Sequence, residues 1–157
     1  MSNDSSLLPL SKILVSIDGS ENSSRAAKAA INFAKQFHSE LLFLNVVAEM
    51  VPPVFSPIGV NVPALDYSNY LERAENDAKK LVNDVVASAK NEAVDARGIV
   101  LRTVTSVAET ILEEASKENV NLLIVGTRGL GGFKKLLLGS VSNAVVAHAH
   151  CAVLVVR

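Results

Sequence analysis

Short, almost continuous apolar runs recur along this chain, and they restrict its fold more than any other feature. The runs occupy residues 13–17, 41–47, 122–125 and 152–156, and a further strand is predicted at 98–103. Because they lack the polar alternation of a half-exposed strand, they are typical of strands that helices cover on both faces. Each run therefore predicts one strand of a buried parallel sheet.

The segments between the runs predict helices. Apolar residues recur three and four positions apart over residues 26–37, and Ser20 is a candidate cap for this helix. A second helix is predicted to begin at Ser68, and a third opens with a capping-box pattern at Ser106. A short fourth helix is predicted at 140–150. Strands that alternate with helices in this way favour a parallel sheet with right-handed crossovers.

We predict a Rossmann-like α/β fold, a three-layer sandwich with a five-stranded parallel sheet in the order 3-2-1-4-5. In this order the chain reverses direction across the sheet between strands one and four. Ligands of open α/β sheets bind at such a point, beyond the carboxyl ends of the strands. The two ends in this chain are Asp18-Gly19 and Gly126-Thr127, so the topology selects one place for a ligand site.

With 157 residues the chain is expected to form one domain. We place that domain at 12–157, after a flexible tail at 1–11, and we predict a long proline-rich loop at 50–67. Because the loop carries several apolar residues, we expect the ligand site or another subunit to cover it. No apolar run is long enough to span a membrane, and the N-terminus lacks a signal-peptide pattern. We therefore expect a cytoplasmic protein without a membrane partner.

The charge balance argues against nucleic acid as a partner. There are 15 Lys and Arg residues against 16 Asp and Glu residues, so the net charge is -1, and aromatic residues are only 4% of the chain. Bulk positive charge and aromatic stacking platforms, the two common means of holding nucleic acid, are therefore missing. The single cysteine, Cys151, excludes an intramolecular disulfide and fits a reducing compartment.

A glycine-rich segment follows the fourth predicted strand. It contains Gly126, Gly129, Gly131, Gly132 and Gly139. Glycine lets backbone amides approach a bulky anion, and the helix predicted at Ser140 presents unpaired N–H groups there. Arg128, Lys134 and Lys135 add local positive charge. The segment therefore predicts a phosphate site, and its position at the sheet reversal favours this over the alternative, a tight turn and helix start without a ligand.

The spacing Gly126-x2-Gly129-x9-Gly139-Ser140, with Asp18 at the end of the first strand, resembles the ATP-binding class of the universal stress proteins. The resemblance covers nearly the whole chain and implies the adenine nucleotide alpha hydrolase-like form of the Rossmann-like fold. It also implies ATP, or AMP or ADP, as the ligand, together with Mg. A homodimer through the last predicted strand is the further implication.

The same resemblance implies a role for each residue of the site. The phosphates and the ribose are expected to lie against Gly126, Gly129, Gly139 and Ser140. Asp18 is expected to face the nucleoside, and the backbone of Val46 is expected to meet the adenine. Ser142 adds a further hydroxyl, and Arg128 and Val141 complete the predicted nucleotide-binding set.

We predict no catalytic residues and no metal site in the protein itself. His148, His150 and Cys151 straddle a predicted helix end and strand start, so they need not converge on a metal ion. The chain also lacks the P-loop pattern and a G-x-G-x-x-G turn after the first strand. A nucleotide-responsive regulatory module in a stress response is the main hypothesis. A slow ATPase or phosphotransferase that uses Asp18 with Mg, and a nucleotide-free protein-interaction scaffold, are the alternatives.

Overall fold

A computed structural model describes residues 10–49, 64–129 and 138–157 of the protein. The described strands and helices alternate strictly along the chain. They are β1 (Lys12–Ser16), α1 (Glu21–Phe37), β2 (Glu40–Ala48), α2 (Ala64–Asn91), β3 (Ala96–Thr103), α3 (Val107–Lys117), β4 (Leu122–Gly126), α4 (Ser140–His148) and β5 (Ala152–Val156).

The five strands form one sheet in the order β3-β2-β1-β4-β5, and all four pairings are parallel. The predicted fold class and strand order are confirmed. In the register of the central pairs, Ser16 lies opposite Leu44, and Val15 lies opposite Ile124. Strands β1 and β4 therefore flank the reversal of the chain, as the sequence predicts.

Both faces of the sheet are buried, each under its own pair of helices. Leu41 and Phe43 of β2 belong to the core beneath α1 and α2, whereas Leu42 and Leu44 belong to the core beneath α3 and α4. Successive strand residues point to opposite faces, so a strand with two buried faces has no polar alternation. This geometry explains the continuous apolar runs.

Two helix starts are capped as the sequence predicts. The Ser20 hydroxyl oxygen accepts from the Ser23 backbone N–H at 3.1 Å. The Ser106 hydroxyl oxygen accepts from the Glu109 N–H at 3.4 Å. Each cap satisfies one N–H group that the helix itself leaves without a partner.

Several predicted boundaries are wrong. Helix α2 begins at Ala64 rather than Ser68, because a proline such as Pro63 does not prevent a helix from starting next to it. The predicted loop at 50–67 therefore includes four helical residues, and its remainder, 50–63, lies outside the described residues, as does the tail at 1–9. Helix α4 ends at His148.

The apolar stripe of α1 stops before its last residue. Phe37 is 48% exposed, although the stripe predicts that it is buried. Its ring stacks on that of Phe33, with the ring centroids 6.0 Å apart, rather than on the sheet. None of the helices in the described ranges is long and apolar enough to cross a membrane.

One glycine of β3 sets how closely α2 lies on the sheet. A Cβ atom at Gly98 would lie 2.0 Å from Cγ1 of Val82 in α2. We expect Gly98→Ala to lower the free energy of unfolding by roughly 1–3 kcal/mol, because the added methyl group over-packs the contact. In urea denaturation, the Gly98→Ala, Val82→Ala double variant should lose less stability than the two single variants combined. Strictly additive losses would contradict this account of the contact.

Candidate functional site

Strand β1 leaves the sheet just before Asp18. The Ile17 N–H still donates to the Leu44 carbonyl, at 2.9 Å. Beyond this bond, side chains replace the ladder: the Asn45 amide Nδ2 donates to the Ile17 carbonyl at 2.8 Å, and the Asp18 N–H donates to the Ser23 hydroxyl at 3.3 Å. The end of β1 is thus held by two side chains instead of by its neighbouring strands.

A tight turn then leads from β1 into α1. Gly19 has a φ of 83°, a backbone conformation that glycine adopts without strain. The Asp18 carboxylate oxygen Oδ1 accepts from the Ser20 N–H at 3.0 Å. This bond fixes the carboxylate of Asp18 at the carboxyl edge of the sheet, beside the first turn of α1.

The backbone of Val46 faces the space that β1 leaves open. Because the Leu44 carbonyl accepts from Ile17, the backbone groups of Leu44 point toward β1. Backbone direction repeats every second residue of a strand, so the N–H and C=O of Val46 point to the same side, beyond the last residue of β1. The side chain of Val46 packs on the core beneath α3 and α4.

The end of β4 lies directly against the first turn of α1. A Cβ atom at Gly126 would lie 2.9 Å from the backbone carbon of Asn22, so only glycine permits this approach. The Arg128 carbonyl accepts from the Ser20 hydroxyl at 3.4 Å and from the Asn22 side-chain amide at 3.5 Å. The turns after β1 and β4 are therefore joined to each other.

Asp18 and Gly129, which are far apart in the sequence, are neighbours in space. A Cβ atom at Gly129 would lie 2.4 Å from Oδ2 of Asp18. Any residue with a side chain at position 129 would therefore displace the carboxylate. The structure brings the acidic residue and the second glycine of the predicted motif together at the sheet reversal.

Helix α4 starts at the same edge, and its first turn differs from those of α1 and α3. Its N-cap is Gly139, which has no side chain to cap the helix, and its first turn contains no acidic residue. By contrast, α1 and α3 each have a serine cap and a glutamate in the first turn. The backbone N–H of Gly139 donates to the Thr127 carbonyl at 2.7 Å, which ties the start of α4 to the end of β4.

The residues of this first turn have different environments. Ser140 is exposed, and Val141 packs partly against the core beneath α3 and α4. Ser142 is only 3% exposed, and its hydroxyl donates to the carbonyls of Thr127, at 2.9 Å, and of Gly139, at 3.1 Å. These two bonds tie the Ser142 hydroxyl to the turn, and its contact with a ligand stays a prediction.

Thr127 connects this turn to the edge of the sheet. Its side chain is buried, and its N–H donates to the carbonyl of Val156, the last residue of β5, at 2.8 Å. The carbonyl of Thr127 in turn holds both Gly139 and Ser142. The start of α4 and the end of β5 are thus bonded to one and the same residue.

Sequence reasoning missed the supporting residues of the site, which are Asn22, Ser23, Asn45 and Thr127. A signal was present for Asn45, because it is a polar residue within the apolar run 41–47. Gly131, Gly132, Lys134 and Lys135, which the sequence includes in the phosphate segment, lie outside the described residues.

His148 is the last residue of α4, and His150 and Cys151 follow it, so all three lie at the opposite end of the helix from its first turn. Burial raises the pKa of the Cys151 thiol, which favours the neutral form of this side chain. Within the described ranges, no group of three or more His, Cys, Asp or Glu side chains is arranged to hold a metal ion.

Comparisons with known proteins agree with one another. A family model described as "Universal stress protein family" matches residues 9–157. The universal stress protein YxiE of Bacillus subtilis is 37% identical over 150 residues, which are 93% of this chain and 98% of that protein. The solved structure of the universal stress protein UspA from Lactobacillus plantarum superposes with a TM-score of 0.81 at 24% identity, covering 94% of this chain and 98% of its own.

Two further solved structures are complexes with nucleotides. A universal stress protein in complex with cAMP matches with a TM-score of 0.69 at 23% identity, covering 95% of this chain and 98% of its own. A universal stress protein from Archaeoglobus fulgidus in complex with dAMP matches with a TM-score of 0.61 at 13% identity, covering 93% and 97%. At these identities, the likeness shows a shared fold.

The position of Ser142 leads to a stability prediction with a control two residues away. We expect Ser142→Ala to lower the free energy of unfolding by about 1 kcal/mol, because the carbonyls of Thr127 and Gly139 lose a buried donor. Ser140→Ala, at an exposed position of the same turn, should change it by less than about 0.5 kcal/mol. Chemical denaturation of both variants checks the difference, and equal effects would contradict the structural role of Ser142.

Proposed function

Because the chain belongs to the universal stress protein family, we propose that it binds an adenine nucleotide at the carboxyl ends of β1, β2 and β4. The ligand is ATP, or AMP or ADP, and the protein acts as a nucleotide-responsive regulatory module, a cytoplasmic homodimer in the stress response. The first turn of α4 carries this proposal, because its N-cap, Gly139, has no side chain and no acidic residue lies in that turn. The complexes of related folds with cAMP and dAMP support the class of ligand.

The phosphates are proposed to lie at the start of α4. Backbone N–H groups of a first turn have no partner within the helix, and the helix dipole places partial positive charge there. In α1 and α3, a serine and a glutamate meet this need, whereas the N-cap of α4 is Gly139 and its own first turn holds no acidic residue. An anionic ligand would take the place of the serine oxygen and the glutamate carboxylate at this helix start. The Ser140 hydroxyl is a further donor to such a ligand.

The base is proposed to lie against Val46. The backbone N–H of Val46 is a donor and its backbone C=O is an acceptor, and both point into the space beyond the end of β1. Adenine offers a ring nitrogen that accepts and an exocyclic amine that donates on adjacent positions. One backbone residue can therefore satisfy both groups, without any side chain that reads the base.

Asp18 is proposed to hold the nucleoside between these two ends. Its carboxylate lies at the carboxyl edge of β1, with Oδ1 bonded to the Ser20 N–H and Oδ2 beside Gly129. An ionised carboxylate has about four acceptor sites on its two oxygens, so ribose hydroxyls can donate to it as well. Gly129 is required because a side chain there would occupy the position of the carboxylate.

Mg²⁺ fits this arrangement as a companion of the ligand. Proteins usually bind it through one or two carboxylates together with nucleotide phosphates and water, and Asp18 is the candidate carboxylate here. Fast hydrolysis would also need a positioned water and a charge clamp at the γ-phosphate, and neither task is assigned to a residue of the proposed site. Measurement of phosphate release beside binding separates a regulatory module from a slow ATPase that uses Asp18.

A homodimer through β5 is the second part of the proposal. Strand β5 is an edge of the sheet, and all of its residues from Ala152 to Val156 are half-buried in the single chain. The Val156 carbonyl faces β4, so the backbone of Val155 points away from the sheet by alternation. An apolar edge with outward N–H and C=O groups is the kind of surface that a second strand pairs with.

The phosphate site is tested by placing a carboxylate at the start of α4. The backbone of Gly139, with φ −74° and ψ 170°, has the extended conformation that a capping aspartate adopts. We expect Gly139→Asp to preserve or raise the free energy of unfolding and to weaken ATP binding on the order of 100-fold. The carboxylate would compete with the phosphates for the same N–H groups, at about 1.5–3 kcal/mol for each charged hydrogen bond lost.

Isothermal calorimetry with Mg-ATP measures this effect, and Gly139→Asn is the matched control. Asparagine caps the helix with the same shape but without the charge, so its loss of affinity should be smaller. If ATP binds the parent and the aspartate variant equally, the phosphates do not lie at α4. Mass spectrometry of protein purified without added nucleotide adds an independent readout, because the scaffold alternative predicts no bound nucleotide.

The dimer is tested by removing one outward N–H group from β5. We expect the parent to sediment with the mass of two chains and Val155→Pro to sediment as a monomer. Proline at an outward-facing edge position removes a donor to the partner without removing a ladder bond to β4. Analytical ultracentrifugation provides the measurement, with Val155→Ala as a control that keeps the N–H. A monomeric parent, or a dimeric proline variant, would exclude the β5 edge as the interface.

A further inference from the structure

We propose that Asn45 is the positioning residue of this site, which gives the site its preference for adenine by keeping the backbone of Val46 open to the base. The inference rests on the proposed nucleotide binding and adds to it the origin of base selectivity. Asn45 does not touch the ligand in this account. It acts through Ile17 and Val46.

Asn45 has a buried environment. It is a polar residue within the apolar run of β2, and it is only 8% exposed. A buried side-chain amide is costly unless it is hydrogen-bonded, and Nδ2 of Asn45 meets this requirement by donating to the Ile17 carbonyl at 2.8 Å. The amide is therefore committed to one backbone group at the end of β1.

The bond from Asn45 to the Ile17 carbonyl replaces the next hydrogen bond of the ladder between β1 and β2. The Ile17 N–H donates to the Leu44 carbonyl, as in a regular parallel ladder. In a continued ladder, the Ile17 carbonyl would next accept from the N–H of Val46. Because Asn45 supplies the donor instead, β1 can turn away from β2 without leaving a buried carbonyl unsatisfied. The donor and the acceptor of Val46 then remain directed at the space proposed for the base.

Asn45 also helps to set the direction in which the chain leaves the sheet at Asp18. The peptide group between Ile17 and Asp18 is planar, and both of its polar groups are held. Its carbonyl accepts from Asn45, and its N–H donates to the hydroxyl of Ser23, which is itself buried at 4% exposure. These two bonds orient the peptide plane and thereby the carboxylate that is proposed to hold the nucleoside.

A backbone N–H and C=O pair distinguishes bases by chemistry. Adenine presents an acceptor beside a donor, whereas guanine presents a carbonyl acceptor where adenine has its amine. An N–H of Val46 that bonds to Ile17 would no longer be available to either base. The loss of Asn45 should therefore reduce adenine binding selectively, while the phosphate contacts at the start of α4 are retained.

The test compares three probes, ATP, GTP and inorganic tripolyphosphate, by calorimetry on the whole chain. Asn45→Leu keeps the approximate size of the side chain and removes the donor. We expect it to weaken ATP binding about 10-fold, to bring the ratio of ATP to GTP affinity close to one, and to leave tripolyphosphate affinity unchanged. A variant that keeps the ATP to GTP ratio of the parent would overturn the inference.

Asn121→Leu is the matched control. The side chain of Asn121 also bonds the backbone of β1, by accepting from the Lys12 N–H at 2.9 Å, but at the opposite end of the strand. A general loosening of β1 would affect both variants alike, whereas the proposed role changes base preference only in Asn45→Leu. If the parent binds neither ATP nor tripolyphosphate, the proposed function fails rather than the role of Asn45.

Hydrogen exchange gives a second readout, and its measurement on the parent does not depend on the variant folding. In the nucleotide-free parent, the Val46 amide should exchange much faster than the amide of Leu44, and ATP should slow it. In Asn45→Leu, the Val46 amide should be slow without any ligand, because it takes over the bond to Ile17. A Val46 amide that is already as protected as that of Leu44 in the free parent would overturn the inference.

Discussion

The site depends on the place where β1 stops pairing with its neighbours. A central strand of a parallel sheet normally satisfies its backbone groups on both sides, and ending it early inside the protein is costly unless other donors and acceptors replace the ladder. Asn45 and Ser23 provide the replacements for the Ile17 carbonyl and the Asp18 N–H. The opening at the carboxyl edge is possible because these two polar side chains lie beside the apolar core of the sheet.

Close approach of backbone to backbone organises the rest of that edge. Gly126 lets β4 lie against the first turn of α1, and Gly129 leaves room for the Asp18 carboxylate. At the start of α4, the Ser142 hydroxyl and the Gly139 N–H both bond to Thr127. The glycines of the motif thus have two physical functions, since some admit neighbouring protein groups and Gly139 provides no side chain of its own to cap α4.

The sequence was sufficient for the strands, their order and the edge at which the ends of β1 and β4 meet, because burial on both faces produces continuous apolar runs and because topology fixes where parallel strands end. It also predicted the caps at Ser20 and Ser106. The start of α2 at Ala64 was missed, since the proline-rich composition upstream masks the helix. The hydrogen bonds of Asn45 and Ser142 could not be predicted, because each depends on the register of strands or turns that are distant in sequence.

Thr127 joins the start of α4 to the edge strand β5. Its carbonyl holds the start of α4, and its N–H holds the last residue of β5. A ligand that draws α4 toward itself would therefore pull on the edge strand through a single residue, Thr127. In a dimer built on that edge, ligand occupancy and subunit association would share a coupling free energy, and by reciprocity each would alter the other to the same extent. The concentration of the protein would then alter its affinity for the ligand, because the concentration sets the fraction of chains that are dimeric.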